Sequence, residues 1–186
     1  IVYSNGYMLR ALARHEGAQT HDLGIARDTM DDTREKVRRA IDSGVDILVT
    51  TGGASVGDHD LVQEALVAEG VEMSFWKIAM RPGKPMMHGR RGALRVLGLP
   101  GNPVSSYVCA ILFMAPLIRA LSGRTDIARP FETATLGRDV PENDQREDYL
   151  RAELARDADG ALIATPVRQQ DSSILANLSR ADVLIV

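Results

Sequence analysis

The chain has 186 residues, of which 45% are apolar, 25% charged and 4% aromatic. This composition excludes a disordered chain, and the single cysteine, Cys109, excludes a fold held by internal disulfide bonds. The formal net charge of -3 argues against a general nucleic-acid-binding protein, and a free buried thiol fits a reducing compartment, the cytoplasm.

Helix-like and strand-like segments alternate from the start of the chain to about residue 123. The predicted elements are helices over 6–16, from Asp31 or Asp32 to Gly44, and over 60–70, with strands over 18–24, 45–50, 71–79 and 94–99. Strands separated by helices predict an α/β fold with a mostly parallel sheet and helices on both faces.

The long apolar run from Pro103 to Leu121 predicts a further helix, with Asn102 as its cap and Pro103 at its first position. A membrane span needs roughly 20 apolar residues, and this run contains serines, a proline and an arginine. We therefore expect a core helix and no contact with a membrane.

The composition changes after residue 122, where strand-like runs and turn residues dominate. A linker is predicted over 123–130, followed by strands over 131–138, 148–155 and 161–166, the last two joined by a turn at 157–160. The predicted domains are an α/β domain over 1–125 and a small β domain over 126–186. Because residues 1–5 resemble the end of a strand, we also expect a piece of a longer protein.

A glycine-rich turn follows the predicted strand 45–50 and leads into the helix at 60–70. Gly52 and Gly53 would let a ligand approach the backbone, and the start of the helix would attract phosphate. Asp58 and Asp60 could bring Mg²⁺ to that phosphate, or could simply cap the helix. The glycine spacing matches neither a Rossmann fingerprint nor a P-loop.

Cations concentrate between residues 77 and 95, a segment without Asp or Glu. Its most specific stretch is Arg81-Pro82-Gly83-Lys84-Pro85. Two prolines and a glycine would fix a loop there that projects two cations, with no acid in the segment to neutralise them. This pattern favours an anion site. The neighbouring pair Arg90 and Arg91 has a second interpretation, a solvated hairpin tip.

The stretch from Gly98 to Ser106 again places a rigid Gly/Pro turn between a strand and the start of a helix. This turn and the loop at Gly52 could face one ligand from two sides. A tight structural turn is the alternative.

Together the three motifs resemble the MoeA family of molybdopterin molybdenumtransferases, which includes the E domain of gephyrin. The matching stretches stand in family order and spacing: Gly52–Gly57 with Asp60, Arg81–Pro85 and Gly98–Ser105. Four further stretches match more loosely: Ser4-Asn5, Leu23-Gly24, Asp148–Arg151 and Ser172–Leu175. Tyr3, Arg81 and Ser173 depart from the usual family residues.

The resemblance implies a MogA/MoaB-like molybdopterin-binding domain followed by an incomplete C-terminal β-barrel domain. It implies that the full-length protein is a homodimer that inserts molybdenum from molybdate into adenylylated molybdopterin, with Mg²⁺ assisting and AMP released. A molybdopterin adenylyltransferase is the implied partner.

The resemblance also assigns roles to residues. Asp60 matches the catalytic acid and, with Asp58, the metal site. The residues matched to substrate binding are Ser4, Asn5, Gly52, Gly53, Ser55, Gly57, Pro100, Gly101 and Asn102. The residues matched to two neighbouring molybdate pockets are Arg81, Lys84, Pro85, Ser105, Arg151 and Ser172. A role of Arg151 and Ser172 in these pockets requires the β domain to approach the Arg81 loop. The other interpretation of Arg151 is a solvated charge on a strand.

Two other functions compete with molybdenum insertion. A MogA/MoaB-type molybdopterin adenylyltransferase shares the α/β fold but lacks the β domain and the insertion after Gly53. A scaffold of the gephyrin kind, with little catalysis, shares the whole pattern.

Overall fold

A computed structural model describes residues 3–53 and 61–186 as two parts joined by a segment without helix or strand. The first part contains α1 (Ser4–His15), α2 (Met30–Asp42), β1 (Ile47–Thr51), α3 (Leu61–Ala68), β2 (Glu72–Trp76), β3 (Met80–Arg81), β4 (Met87–Arg91), β5 (Leu94–Leu99), α4 (Pro103–Cys109), a π-helical turn (Ala110–Met114) and α5 (Ala115–Leu121). The second part contains β6 (Thr135–Leu136), β7 (Glu147–Asp148), β8 (Leu150–Arg156), β9 (Leu162–Pro166), α6 (Leu175–Leu178) and β10 (Val183–Ile185).

The first sheet has the order β1-β5-β4-β2, and only its β1–β5 pair is parallel. The prediction of a mostly parallel sheet is therefore wrong. The cause is β4, which forms a hairpin with β5 across Gly92 and Ala93, and a loop of two residues can join only antiparallel strands. The sequence of β4, with a glycine and two arginines, did not suggest a strand.

Helices cover both faces of this sheet, as predicted. In β1, Ile47 and Val49 pack with α1 and the helix over 103–121, whereas Leu48 packs with α2 and α3. The alternation follows from the strand geometry, because successive side chains point to opposite faces.

The predicted strand over 18–24 is absent from the described part of the chain. Local polar contacts occupy this segment instead: the Asp22 carboxylate accepts a hydrogen bond from the Gly24 amide at 2.8 Å, and the Lys36 ammonium donates to the Leu23 carbonyl at 3.1 Å. Side-chain bonds to the backbone of this kind compete with strand pairing.

The start of α2 differs from the predicted cap. The Thr29 hydroxyl accepts the hydrogen bond from the Asp32 amide, so Asp31 and Asp32 lie in the first turn rather than at the cap. Their negative charges still complement the helix dipole there.

The helix over Pro103–Leu121 is long and apolar enough to cross a membrane by length and composition alone. In the fold it packs into the core, where Val104, Val108 and Met114 are buried. The prediction of a core helix is confirmed. Its π-helical turn lies just before Pro116, whose ring nitrogen cannot donate to the helix backbone.

The second sheet has the order β10-β8-β9-β6, with antiparallel pairs except for β9–β6. The predicted turn at 157–160 joins β8 to β9, and the Asp157 carboxylate accepts a hydrogen bond from the Ala161 amide at 2.9 Å. A small β domain thus follows the α/β part. Among the described residues β10 and β6 stay the two unpaired edges, so no barrel is closed.

A short parallel ladder between β3 and β7 joins the two parts. Met80 pairs with Glu147 and Arg81 with Asp148. Two backbone hydrogen bonds flank these pairs, from the Glu147 amide to the Ala79 carbonyl at 3.0 Å and from the Tyr149 amide to the Arg81 carbonyl at 2.8 Å. The ladder brings the loop after β3 next to the start of β8.

The linker is held to the first part by one buried carboxylate. Glu16, which is 3% exposed, lies at the end of α1 and binds the Arg119 guanidinium at 2.6 Å. Arg124 and Arg129 of the linker approach the same carboxylate at 3.5 Å. The hydrogen bond from Arg119 lowers the pKa of Glu16, against the opposing effect of burial.

Replacing Glu16 with glutamine is expected to lower the free energy of unfolding at pH 7 by roughly 2–3 kcal/mol, because it removes the carboxylate that Arg119, Arg124 and Arg129 share and leaves Arg124 with Asp126 alone. Since the folded pKa lies below the unfolded one, the contribution is present above the unfolded pKa and disappears as the pH falls through the folded pKa. Urea unfolding of both proteins across this range measures the difference. Asp126→Asn is the control: it breaks an exposed pair with Arg124 and should change the free energy of unfolding little. Equal stability of Glu16→Gln and the parent at pH 7 would contradict the prediction.

Candidate functional site

A cavity of about 490 Å³ lies between the two parts of the chain. The residues that line it come from the loop after β3, the turn after β5, the start of α4, the start of β8 and the loop after β9. All six residues matched to the molybdate pockets line this one cavity: Arg81, Lys84, Pro85, Ser105, Arg151 and Ser172. Pro100, Gly101 and Asn102 line it as well.

The loop over 81–85, here called the cation loop, rests against α4. Gly83 has a φ of +124°, and a Cβ at this position would lie 2.7 Å from the Cys109 sulfur, so only glycine fits. Cys109 is a free buried cysteine, as expected, and burial raises the pKa of its thiol to about 12. The thiol is therefore a packing group beneath the loop.

The two cations of the cation loop differ in their surroundings. The Arg81 guanidinium binds the Asp148 carboxylate through Nε, at 2.8 Å from Oδ1, and through Nη2. The prediction that no acid neutralises this loop is wrong for Arg81, because the ladder between β3 and β7 brings in an acid from the second part. Among the described residues no carboxylate lies within ion-pair distance of Lys84.

Arg151 is a buried cation in the wall of the cavity. It is 1% exposed, and its Nη2 donates to the Asp171 carbonyl at 3.3 Å. Its Nε has no hydrogen-bond partner among the residues that the structure describes. Burial lowers the pKa of Arg151. A solvated strand charge is thus the wrong interpretation, and a guanidinium with an unpaired buried N–H fits an anion in the cavity.

The side chain of Gln170 holds the backbone around Arg151 in place. Its Nε2 donates to the Arg151 carbonyl at 2.9 Å, and its Oε1 accepts from the Arg151 amide at 3.1 Å. These two bonds fasten the loop after β9 to the backbone of β8 at Arg151.

Contacts across the cavity hold the second part against the start of α4. The Val104 amide donates to the Ser172 carbonyl at 3.1 Å, and the Asn102 amide group donates to the Ser172 hydroxyl at 2.9 Å. Asn102 occupies the predicted cap position, but its side chain reaches the second part instead of capping the helix. Arg151 and Ser172 therefore lie on the same cavity as the cation loop.

The two glycine-containing loops meet at one edge of the first sheet. The Gly52 amide donates to the Leu99 carbonyl at 3.2 Å, and a Cβ on Gly101 would lie 3.4 Å from the Gly52 Cα. Asn5, at the start of α1, donates to the Gly101 carbonyl at 2.8 Å and to the Thr51 hydroxyl at 3.1 Å. Its Oδ1 is buried without a hydrogen-bond partner in the described structure.

These contacts bring together three of the residues matched to substrate binding, Asn5, Gly52 and Gly101, with Ser4, Gly53 and Asn102 beside them in the chain. The assignments to Ser55, Gly57, Asp58 and Asp60 fall outside the described residues. Those assignments stay predictions.

The remaining cations of the basic segment lie elsewhere. Lys77 stacks on the Trp76 ring, with its Nζ 3.9 Å from the ring centroid, and Arg90 pairs with the exposed Glu72. Arg95 donates to the Gly92 carbonyl at 3.0 Å. Arg90 and Arg91 are exposed at the β4–β5 hairpin, in agreement with the solvated alternative.

Four charged or amide side chains that line the cavity have no role predicted from the sequence: Arg146, Asp148, Gln170 and Asp171. Asp148 stood inside one of the matching stretches, but a single sequence does not indicate that it pairs with a residue 67 positions earlier. Gln170 lay in a polar stretch that resembles an ordinary loop, and nothing in the sequence distinguished it.

Mg²⁺ commonly takes one or two carboxylates together with substrate phosphates. The described residues contain no group of three or more potential metal-binding side chains. Asp58 and Asp60 have the chemistry for a site completed by a substrate phosphate.

Two family descriptions match the chain: "Probable molybdopterin binding domain" over residues 1–120 and "MoeA C-terminal region (domain IV)" over residues 133–186. These ranges fall on the α/β part and on the small β part.

Two curated relatives and one solved structure show what the chain is similar to. A molybdopterin molybdenumtransferase of Bacillus subtilis is 35% identical over 98% of this chain and 42% of its own length. One from Nostoc is 35% identical over 83% of this chain and 36% of its own length. A crystal structure described as a molybdopterin biosynthesis MoeA protein from Pyrococcus horikoshii superposes with a TM-score of 0.77 at 27% identity, over 97% of this chain and 42% of that one. The chain thus spans about two fifths of the length of these proteins.

Proposed function

This chain belongs to the family in which a molybdopterin-binding domain is followed by the MoeA C-terminal region, and we propose that the protein containing it inserts molybdenum from molybdate into adenylylated molybdopterin, with release of AMP. The relatives named molybdopterin molybdenumtransferase support this activity. The cytoplasm is its proposed location. The homodimer and the adenylyltransferase partner stay predictions.

The observation that carries the proposal is the unpaired Nε of the buried Arg151 in the cavity wall. A tetrahedral dianion such as molybdate offers the acceptor oxygens and the charge that this group lacks. Lys84 adds an ammonium group and Ser105 a hydroxyl on the same cavity. The volume of about 490 Å³ leaves room for part of a larger substrate beside the oxyanion.

The proposed roles of the other residues follow the two loops. The turns at Gly52 and Gly101, which carry no side chains, would let the phosphates of the adenylylated substrate approach the backbone at the edge of the first sheet. Asp60, with Asp58, would hold Mg²⁺, which neutralises phosphate charge when bound. Pro85 and Ser172 would shape the oxyanion pocket together with the cations.

The match over residues 133–186 argues against a MogA/MoaB-type adenylyltransferase, which lacks this domain. A gephyrin-like scaffold would share both domains, so only turnover separates it from an enzyme. The full-length protein should release AMP from adenylylated molybdopterin when molybdate is added and much less without it. AMP release that does not depend on molybdate would overturn molybdenum insertion.

Lys84→Ala is expected to weaken molybdate binding about tenfold, since the cavity loses a cation that no acid of the described residues neutralises. Isothermal titration of the full-length protein measures the affinity. Arg90→Ala, which removes a cation from the same segment outside the cavity, is the matched control. Equal losses from the two variants would mean that the basic segment acts only through its overall charge.

A further inference from the structure

The Arg81 guanidinium is bonded along one edge only. Nε and Nη2 donate to the two oxygens of Asp148, which is 5% exposed, whereas the Arg81 side chain is 46% exposed and lines the cavity. Among the described residues no group accepts a hydrogen bond from Nη1. A guanidinium has five N–H donors, so three remain after this pair forms.

We propose that Asp148 is the positioning residue of the cavity: it fixes one edge of Arg81 so that the opposite edge is presented to the oxyanion. The inference rests on the proposed oxyanion site and assigns to it a residue that does not itself bind the ligand. A carboxylate in an anion site is otherwise unfavourable, because it repels the ligand.

The backbone supports this role independently of the side chains. The Tyr149 amide donates to the Arg81 carbonyl at 2.8 Å and the Glu147 amide to the Ala79 carbonyl at 3.0 Å, so the two chains stay paired on either side of Arg81 and Asp148. The side-chain pair is therefore not needed to hold the parts together. Its remaining effect is on the direction of the guanidinium.

The planar fork of arginine suits this arrangement. Two parallel bonds to one carboxylate fix the plane of the guanidinium, which a single ammonium group cannot achieve. A lysine at position 81 would be neutralised by Asp148 without being oriented. Asp148 thus makes arginine, rather than any cation, the fitting residue in this chain.

Charge and positioning predict opposite results for Asp148→Asn. Removing a negative charge beside an anion site should by itself tighten anion binding. If Asp148 positions Arg81, the affinity for molybdate should instead fall about tenfold, the value of one charge-assisted hydrogen bond. Asp126→Asn breaks another arginine–aspartate pair outside the cavity and should leave the affinity unchanged.

The test is isothermal titration of the full-length protein with molybdate and with sulfate, beside urea unfolding of each variant. Arg81→Lys alone should lose as much affinity as Asp148→Asn, and the double variant should lose no more than either single one, because both remove the same contact. Asp148→Glu keeps the negative charge but displaces the Arg81 guanidinium, so it should also weaken molybdate binding. If Asp148→Asn does not fold, Asp148→Glu takes its place in the test.

Binding by Asp148→Asn that is as tight as in the parent, or tighter, would overturn the positioning role while leaving the oxyanion site in place. Additive losses in the double variant would overturn it as well. If the parent binds neither molybdate nor sulfate, the oxyanion site itself is wrong, and the inference falls with it.

Discussion

Replacing Arg151 with methionine is expected to weaken molybdate binding by about tenfold or more and to leave the fold at least as stable as before. The Arg151 side chain is 1% exposed, and its Nε has no partner among the described residues. A buried charge without full compensation lowers the free energy of unfolding by roughly several kcal/mol. Methionine fills a similar space without this cost. In the parent protein the Arg151 guanidinium would donate charge-assisted hydrogen bonds to the ligand, each worth about 1.5–3 kcal/mol, and the variant loses them.

Titration with molybdate and urea unfolding without the anion measure the two effects separately. Arg138→Met is the control, because Arg138 lies in the same part of the chain and donates to the Val167 carbonyl at 2.8 Å, outside the cavity lining. Loss of stability without loss of affinity would assign Arg151 to the fold alone. The oxyanion pocket would then consist of the cation loop and Ser105.

Asp60→Asn is expected to reduce the release of AMP by the full-length protein by about 100-fold or more. Asparagine keeps the shape of the side chain but removes the charge that would hold Mg²⁺, and stabilisation by a bound metal ion is worth several kcal/mol, where about 1.4 kcal/mol is tenfold in rate. Asp60 directly precedes α3 in the chain, so the thermal stability of the variant must be measured beside its activity.

Asp58→Asn is the matched control for this prediction. It should cost less activity, and raising the Mg²⁺ concentration should recover part of its turnover but little of that of Asp60→Asn. Full activity of Asp60→Asn would overturn its assignment as the catalytic acid and transfer that role to Asp58.

Elements with strong local signals were predictable from the sequence. β5 was predicted with its observed ends at Leu94 and Leu99, and Pro103 with the apolar run after it indicated the core helix. The turn at 157–160 was also found where predicted. In each case the residues that decide the structure lie within a few positions of one another.

Features that depend on distant partners were not predictable. A residue's own neighbours do not tell whether the segment 18–24 pairs with a strand. The pairing of Arg81 with Asp148 joins residues 67 positions apart. Arg151 alternates with apolar neighbours as a solvated charge would, but it is buried beside Gln170 and Asp171, which lie about 20 positions later in the chain.

The ladder between β3 and β7 also determines when the cavity can exist during protein synthesis. The β4–β5 and β8–β9 hairpins close short loops and can form early, whereas pairing Arg81 with Asp148 must close a much longer one and bears a larger entropic cost. A chain emerging from the ribosome therefore presents an unpaired cation loop until the second part has followed. The cavity is therefore complete only after residue 172, the last residue in its wall, has left the ribosome.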